Sequence, residues 1–423
     1  MVLRHRLSTL DVYYGWIVAV AGFAAATVLF GLSYSIAVFF DPLLEAFPVG
    51  TGMVSLMFGV QTFMIYGGSV PGGTVVDTIG ARRSAFLASG LVVAGLGGAS
   101  LAGTFIVLLT WYGVVAGLGM SLLYVVAYTA VPRWFGRHRG LATGIASSGL
   151  GIGLLLIPPL AAWLVELVGW RGAYRVLGLG AGVILLVATS LIADSPQAVG
   201  ADTEAEFPYG PPPEPTRTPL REQLHAVGDV AASRPFVAVL VGWLFVWTPL
   251  YIYMNHVVRF VSETALPAGT GVAAISLVGV TTSLARVGVG SASDRLGRVH
   301  TFVASGALVA VAVPAMTLVT GRLPFFALTV IFGIGYGGAG ALLSPLVAEL
   351  FGGENLGTVF GLASVSFAIG GLTAPAAAGL AFDAVGTYTP VFWVAGAVGM
   401  IGAGLIWVAG KTAAHRKTAV AEA

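Results

Sequence analysis

Residues 72–83 read GGTVVDTIGARR, and a shorter version of the same pattern, GSASDRLGR, returns at residues 290–298. The acidic residues of the two stretches, Asp77 and Asp294, are 217 positions apart. Each stretch follows a long apolar run and ends in basic residues, as expected of a short loop between two helices. This pair of loops suggests that the chain consists of two similar halves.

A second pair of stretches repeats at the same spacing. Residues 135–153 read FGRHRGLATGIASSGLGIG, and residues 351–371 read FGGENLGTVFGLASVSFAIGG. Gly144 and Gly361, which occupy matching places in them, are again 217 positions apart. Because the loops and these stretches share one offset, the sequence predicts an internal duplication.

Composition identifies the class of protein. Of 423 residues, 57% are hydrophobic and only 9% are charged, whereas soluble domains carry about 25% charged residues. So few charges indicate a polytopic membrane protein. The chain has no Cys, and it shows no phosphate-binding loop, metal-ligand cluster or nucleophile–base pair. We therefore predict no enzyme activity, no catalytic or metal-binding residues, no cofactor and no nucleic-acid partner.

Twelve apolar stretches are long enough to cross a bilayer, which takes about 20 residues. They lie at 14–40, 51–76, 84–104, 106–131, 141–165, 171–193, 236–261, 268–293, 299–319, 324–348, 356–382 and 388–410. The Pro-rich, acidic stretch 194–234 divides them six and six and is predicted to be a flexible cytoplasmic linker. The predicted domains are thus an N-terminal six-helix bundle (1–193), the linker, and a C-terminal six-helix bundle with a short cytoplasmic tail (235–423).

The predicted fold class is an all-α membrane protein with two six-helix repeats. Parallel repeats of this kind are typical of secondary transporters, whose site lies at the repeat interface near the membrane midplane. With both termini in the cytoplasm, fifteen of the twenty Lys and Arg residues lie on the inner side and four on the outer side. This asymmetry supports that orientation, and we expect the protein in the plasma membrane.

The remaining basic residue, Arg286, lies inside predicted span 8. Every Asp and Glu falls at a span end, in a loop or in a tail, so no carboxylate shares its predicted depth. An arginine at a helix centre costs about 2.5–3.5 kcal/mol on insertion scales, and it is not expected to lose its proton. We interpret Arg286 as the binding site for a transported anion, although a side chain that reaches the inner interface is the alternative.

The loop at 72–83 resembles the loop 2–3 signature of the major facilitator superfamily, G-x-x-x-D-x-x-G-x-R-R, through Gly73, Asp77, Arg82 and Arg83. The resemblance extends over the whole chain and implies a twelve-helix carrier. An acid at one helix end beside arginines at the next can form an ion-pair latch that opens and closes during transport. In the second half, Asp294 and Arg298 are the matching cytoplasmic gate residues.

Three further stretches resemble the monocarboxylate transporter family: DVYYGW (11–16), SIAVFF (35–40) and RWFGRHRGLATGIASSGLGIG (133–153). Oxalate–formate exchangers share the general pattern. The resemblance implies that Arg286 is the substrate-contacting arginine of span 8. Similarity to bacterial lactate-carrying relatives favours Tyr124 in span 4 and Tyr336 in span 10 as further substrate contacts.

The chain departs from mammalian members of the family at two positions linked there to proton coupling. Thr282 stands where they have an aspartate, and Tyr34 stands where they have a lysine. These differences put proton symport in doubt but leave the anion site intact. Oxalate exchangers also hold a second basic residue in span 11, whereas residues 362–379 contain none. The single positive charge of Arg286 balances a monoanion better than a dianion.

Other polar side chains inside the spans are candidates for the site. Asn255 and His256 lie in span 7, and Gln61 lies in span 2. His256 is the candidate for proton coupling because histidine alone has an unperturbed pKa close to neutral. Its predicted position nearer the outer surface also fits an interfacial residue. Tyr388, at the start of span 12, is expected to be an interfacial anchor, and Tyr34 is retained as a candidate substrate contact.

The predicted function is secondary transport of a small organic monoanion such as lactate or pyruvate, with a proton as a candidate co-substrate. An oxalate–formate or dicarboxylate exchanger is the alternative within the class. A membrane sensor without transport would need a signalling domain, for which the tail KTAAHRKTAVAEA is too short. A channel differs from a carrier in showing linear rather than saturable flux.

Overall fold

The computed structural model describes residues 13–129, 131–135, 139–196, 199, 228–351 and 356–421. Regular structure in these ranges is helical. The longer helices are α1 (Tyr14–Tyr34), α2 (Ile36–Ala46), α3 (Thr51–Gly67), α4 (Ser69–Ile79), α5 (Ala81–Ser100), α6 (Gly117–Thr129), α7 (Arg139–Leu191), α8 (Arg234–Ser262), α9 (Thr270–Leu296), α10 (Arg298–Ala315), α11 (Arg322–Ala341), α12 (Leu343–Phe351), α13 (Leu356–Val385) and α14 (Thr389–Ala421). Short helices cover Phe105–Leu108 and Gly228–Ala231, and a π-helical segment, Leu109–Ala116, leads into α6.

Nine helical segments in the described ranges are long and apolar enough to cross a membrane. Three features account for the difference from twelve: neither predicted span 2 nor predicted span 3, which corresponds to α5, is among the nine segments, and predicted spans 5 and 6 form a single segment. The predicted span 2 is divided at Gly68 into α3 and α4. The 53-residue α7 contains one non-helical residue, Gly169, and so includes predicted spans 5 and 6. The all-α membrane class is confirmed, while the full count of twelve spans stays a prediction.

The chain divides into two compact units. The first comprises residues 1–47 and 60–216, and the second comprises residues 48–59 and 217–423. Most of the predicted linker, residues 197–198 and 200–227, lies outside the described residues.

Sharp corners recur at the duplication offset. Gly80, between α4 and α5, has φ 89°, and Gly297, between α9 and α10, has φ 85°. Gly169, inside α7, has φ 69°, and Gly386, between α13 and α14, has φ 75°. Both pairs are 217 positions apart, the offset of the repeated sequence motifs. Since L side chains rarely adopt such φ values, the backbone supports the internal repeat at positions where only glycine is unstrained.

In the first unit, small residues bring α1 and α7 together. A Cβ on Gly149 would overlap the carbonyl oxygen of Phe23, and a Cβ on Gly153 would overlap that of Thr27 and lie 2.8 Å from the amide nitrogen of Gly31. Small residues at a helix interface allow backbones to approach closely, which stabilises helix pairs in lipid. This explains part of the high glycine content.

The second unit has an aromatic core between its helices. Trp243 of α8 stacks on Phe367 of α13 with ring centroids 5.3 Å apart, and it faces Phe302 of α10 at 6.5 Å. At the same level, a Cβ on Gly402 of α14 would lie 2.6 Å from the amide nitrogen of Val246. Aromatic packing at Trp243 and the close approach of Gly402 therefore both hold α8 in this unit.

Candidate functional site

Arg286 lies on α9, and its guanidinium lies against α11. Its Nη2 atom is 2.9 Å from the place that a Cβ on Gly340 would occupy. Two other glycines of GIGYGGAG (333–340) allow the same close approach, because added Cβ atoms at Gly333 and Gly337 would overlap Thr281 and Ala285 of α9. The glycine-rich face of α11 thus provides the space that the arginine occupies.

The charge of Arg286 is not balanced by the protein in the described part of the chain. The side chain is half-buried, and within the described ranges it makes no ion pair and no hydrogen bond; its Nε atom is buried without a partner. The side chain of Asp294, two helical turns further along α9, lies outside the description. Buried charges are normally paired, so this geometry leaves the guanidinium able to bind an anion.

An aromatic wall adjoins the arginine in the same unit. Tyr336 lies one helical turn before Gly340 on α11 and is 3% exposed. Trp247 of α8 meets Tyr336 edge-on, with ring centroids 5.5 Å apart and planes at 84°. Trp247 also meets Phe367 of α13 at 5.5 Å and 80°. The Arg286 guanidinium of α9 therefore contacts α11 one turn beyond Tyr336, and both are predicted site residues.

Trp247 was missed by sequence reasoning. The available signal was WLFVW (243–247), which places two tryptophans one helical turn apart inside an apolar span. Aromatic residues in an apolar span are ordinarily interpreted as core packing residues. Nothing in the sequence therefore connected Trp247 with Arg286, which is 39 positions away.

Three predicted residues belong to the first unit. Tyr124 of α6 packs edge-on against Tyr66 of α3, with ring centroids 5.4 Å apart. Gln61 of α3 is fully buried, and its Oε1 accepts a hydrogen bond of 2.9 Å from Ser33 Oγ. Tyr34, at the end of α1, is 5% exposed. Gln61 and Tyr34 are thus buried, whereas Tyr124 is partly exposed.

His256 of α8 is fully buried in a hydrogen-bond network of the second unit. Its Nε2 lies 3.0 Å from the carbonyl oxygen of Pro375, to which it must donate, and 3.2 Å from Ser55 Oγ. Its Nδ1 lies 2.9 Å from the hydroxyl of Tyr388. With Nε2 protonated, Nδ1 accepts from that hydroxyl. The network thus satisfies both ring nitrogens of a neutral imidazole.

The sequence did not connect Tyr388 with His256, nor Asp383 with the start of α3. Tyr388 was expected as an interfacial anchor, yet it is 2% exposed and stacks on Phe382. The carboxylate of Asp383 accepts hydrogen bonds of 3.0 Å from the amides of Thr51 and Gly52. These amides begin α3, so the carboxylate satisfies two of the N–H groups that a helix start leaves unpaired.

Asn255, next to His256, is fully buried, and neither its Oδ1 nor its Nδ2 has a hydrogen-bond partner in the described ranges. An unpaired buried amide costs about 1–3 kcal/mol. Such a group is retained where another molecule, water or substrate, can satisfy it.

The cytoplasmic gate motif is described only in part, because the side chains of Asp77 and Asp294 lie outside the description. Arg82 stands at the start of α5, with its guanidinium 5.6 Å from the ring of Phe86. Its backbone amide donates to the carboxylate of Asp194 at 3.0 Å. Asp194, 112 positions away in a predicted loop, is therefore an acid of this region that the motif did not indicate.

Comparison with known proteins identifies the family of the chain. The family model described as Major Facilitator Superfamily matches residues 19–286 and 261–423. The monocarboxylate transporter 3 of Rattus norvegicus is 27% identical over 390 residues, which cover 90% of this chain and 77% of the relative. The monocarboxylate transporter 13 of the same species is 26% identical over 411 residues, covering 95% and 90%.

A solved structure shares the fold. The crystal structure of a bacterial homologue of the human lysosomal transporter Spinster superposes with a TM-score of 0.73 and 17% identity. The superposition covers 94% of this chain and 97% of that one. Together with the family model, which spans nearly the whole sequence, these similarities show that the chain belongs to the major facilitator superfamily, a family of transporters and not of enzymes.

Proposed function

We propose that this protein is a secondary active transporter that carries a small organic monoanion, such as lactate or pyruvate, by alternating access. The observation that carries the proposal is the half-buried Arg286, which has no counter-ion among the described residues. A carboxylate matches the planar guanidinium in bidentate geometry. The relatives named as monocarboxylate transporters support the same class of substrate.

The other candidate residues take supporting roles in this proposal. Tyr336 and Tyr124 supply phenol groups that can donate to the anion or cover its alkyl part. Asn255, Gln61 and Tyr34 are proposed as additional polar contacts.

The cytoplasmic motif residues Gly73, Asp77, Arg82, Arg83, Asp294 and Arg298 are proposed to form the inner gate latch. The proposal also places the protein in the plasma membrane with both termini in the cytoplasm.

Substrate binding has an energetic consequence for the transport cycle. An unpaired arginine inside a span costs about 2.5–3.5 kcal/mol on insertion scales. A bound monoanion neutralises that charge and lowers the cost of enclosing it away from water. A ligand shifts a conformational equilibrium by its difference in affinity for the two states, so the loaded carrier is expected to close more readily than the empty one.

Counterflow in proteoliposomes tests this function. Vesicles loaded with unlabelled lactate are expected to take up labelled lactate transiently and saturably, and external pyruvate is expected to compete. Oxalate is expected to compete poorly because a dianion leaves one negative charge unbalanced beside a single guanidinium. Linear, unsaturable flux would indicate a channel, and stronger exchange with oxalate would indicate the dicarboxylate or oxalate–formate alternative.

We propose His256 as the residue that links transport to protons. Protonation at Nδ1 would turn this atom from an acceptor into a donor, so the Tyr388 hydroxyl would have to reorient. Protonation of His256 would therefore rearrange a hydrogen bond inside the second unit. In mammalian monocarboxylate transporters, the positions of Thr282 and Tyr34 hold an aspartate and a lysine that are linked to proton coupling. Because this chain lacks both, the imidazole of His256 is the titratable candidate for that role.

The variant His256→Gln tests this role. Glutamine can keep hydrogen bonds to Pro375 and Tyr388, but it does not take up a proton at physiological pH. An inward proton gradient is expected to drive lactate accumulation in the native protein and not in the variant, while counterflow stays within about twofold of native. Tyr388→Phe keeps the titratable imidazole but removes the hydroxyl that protonation would reorient, so it is expected to weaken gradient-driven accumulation while counterflow stays near native. Unchanged accumulation by His256→Gln would exclude His256 as the proton carrier.

A further inference from the structure

The indole N–H of Trp247 is a buried donor with no acceptor in the described part of the chain. Trp247 is 6% exposed, and its Nε1 atom has no hydrogen-bond partner there. An indole N–H can only donate, and a buried Trp usually finds an acceptor for it. The arrangement therefore lacks one hydrogen-bond acceptor, which a ligand can provide.

The position of Trp247 connects this donor with the proposed anion site. Its ring meets Tyr336 of α11 at 5.5 Å, and Gly340, one turn further along the same helix, touches the Arg286 guanidinium. One helical turn advances about 5.4 Å. Trp247 and Arg286 therefore contact positions one turn apart on α11, so the donor and the cation border the same part of this helix.

A second tryptophan provides a comparison within the same helix. Trp243 lies one turn before Trp247 and also has an unpaired Nε1. It is fully buried, stacks on Phe367 with planes at 8°, and lies against Phe302 of α10. Its ring thus belongs to the packed core, whereas the ring of Trp247 meets the tyrosine beside Arg286.

We propose that Trp247 recognises the oxygen on carbon 2 of a 2-oxo or 2-hydroxy monocarboxylate whose carboxylate is held by Arg286. The inference rests on the proposed function and narrows its substrate class. A carbonyl and a hydroxyl oxygen both accept a hydrogen bond, so the indole serves pyruvate and lactate alike. Propionate has the same carbon chain and carboxylate but no oxygen on carbon 2, and it leaves the donor unpaired.

The test measures KM for lactate, pyruvate and propionate in proteoliposomes. Trp247→Phe keeps an aromatic ring and removes the N–H. It is expected to raise KM for lactate and pyruvate by about fivefold to tenfold, the effect of one neutral hydrogen bond, and to change KM for propionate by less than about twofold. Trp247→Tyr, whose hydroxyl restores a donor, is expected to recover part of the preference.

Trp243→Phe is the matched control, because it removes an equally unpaired N–H from the same helix. It is expected to leave the ratio of the lactate and propionate KM values unchanged. An unchanged ratio of the lactate KM to the propionate KM in Trp247→Phe, or an equal rise of this ratio in Trp243→Phe, would overturn the assignment. If Trp247→Phe does not fold, 3-benzothienylalanine at position 247 keeps both fused rings and replaces the N–H by sulfur. The ratio of the lactate and propionate KM values is then measured for that variant.

The outcomes separate this inference from the proposed function. If native protein transports lactate and propionate equally well, the carrier function stands and the role of Trp247 fails. If none of lactate, pyruvate and propionate is transported, the proposed function itself fails.

Discussion

Arg286→Gln is expected to abolish uptake of labelled lactate into proteoliposomes while the protein stays folded. Glutamine keeps a polar side chain of similar reach but removes the positive charge that the anion requires. Removing one partner of a desolvated ion pair costs about 2–5 kcal/mol, so transport should fall by at least about thirtyfold. Folding is expected to persist because the guanidinium forms no ion pair with described residues that the substitution would break.

Two control variants sharpen this experiment. Arg322→Gln removes an arginine of the same unit that is exposed and lies 5.2 Å from the ring of Phe326, and it is expected to transport normally. Arg286→Lys keeps the charge but loses the two-pronged geometry for a carboxylate, and it is expected to retain partial activity with a raised KM. Thermal unfolding in detergent monitors the fold of each variant. Native uptake by Arg286→Gln would contradict the anion-site model.

Gly153→Leu is expected to have the largest effect on stability. A Cβ at this position of α7 would overlap the carbonyl oxygen of Thr27 and lie 2.8 Å from the amide nitrogen of Gly31. Both partners are backbone atoms of α1, so no change of side-chain rotamer relieves the overlap. The helices must separate, and overpacking of this kind costs about 1–3 kcal/mol or more.

Gly144→Leu is the matched control on the same helix, because a Cβ on Gly144 would have nothing within 4 Å. Since leucine favours helix over glycine by up to about 1 kcal/mol, this variant is expected to unfold at the native temperature or slightly above it. Gly153→Leu is expected to unfold at a clearly lower temperature or to yield no monodisperse protein. Equal unfolding temperatures for the two variants would show that α1 and α7 do not pack as closely as described.

Much of the fold could be predicted from the sequence. Composition and the long apolar stretches indicated an all-α membrane protein, because a chain with so few charges cannot cover its surface in water. The shared offset of the repeated motifs predicted the duplication, and Gly80 and Gly297 show its structural counterpart in the backbone. The division of predicted span 2 into α3 and α4 at Gly68 could not be predicted, because a continuous apolar stretch does not show where a helix is interrupted.

The candidate site was predicted in part. Arg286 could be singled out because a census of charges along the chain shows an arginine in a span without an acid at its depth. The resemblance to a transporter family pointed to Tyr336. Neither approach could identify Trp247, since an aromatic residue in an apolar span has the same appearance whether it packs in the core or borders a binding site.

The sequence by itself indicated the membrane class, the two repeats and an arginine with no acid at its predicted depth, since these depend on composition and on spacing along the chain. Only the tertiary structure decided which side chains meet. It placed Trp247 against Tyr336, Tyr388 against His256, and Asp194 beside the amide of Arg82. These pairs join residues 89, 132 and 112 positions apart, and contacts at such separations depend on how helices pack, which local periodicity does not specify.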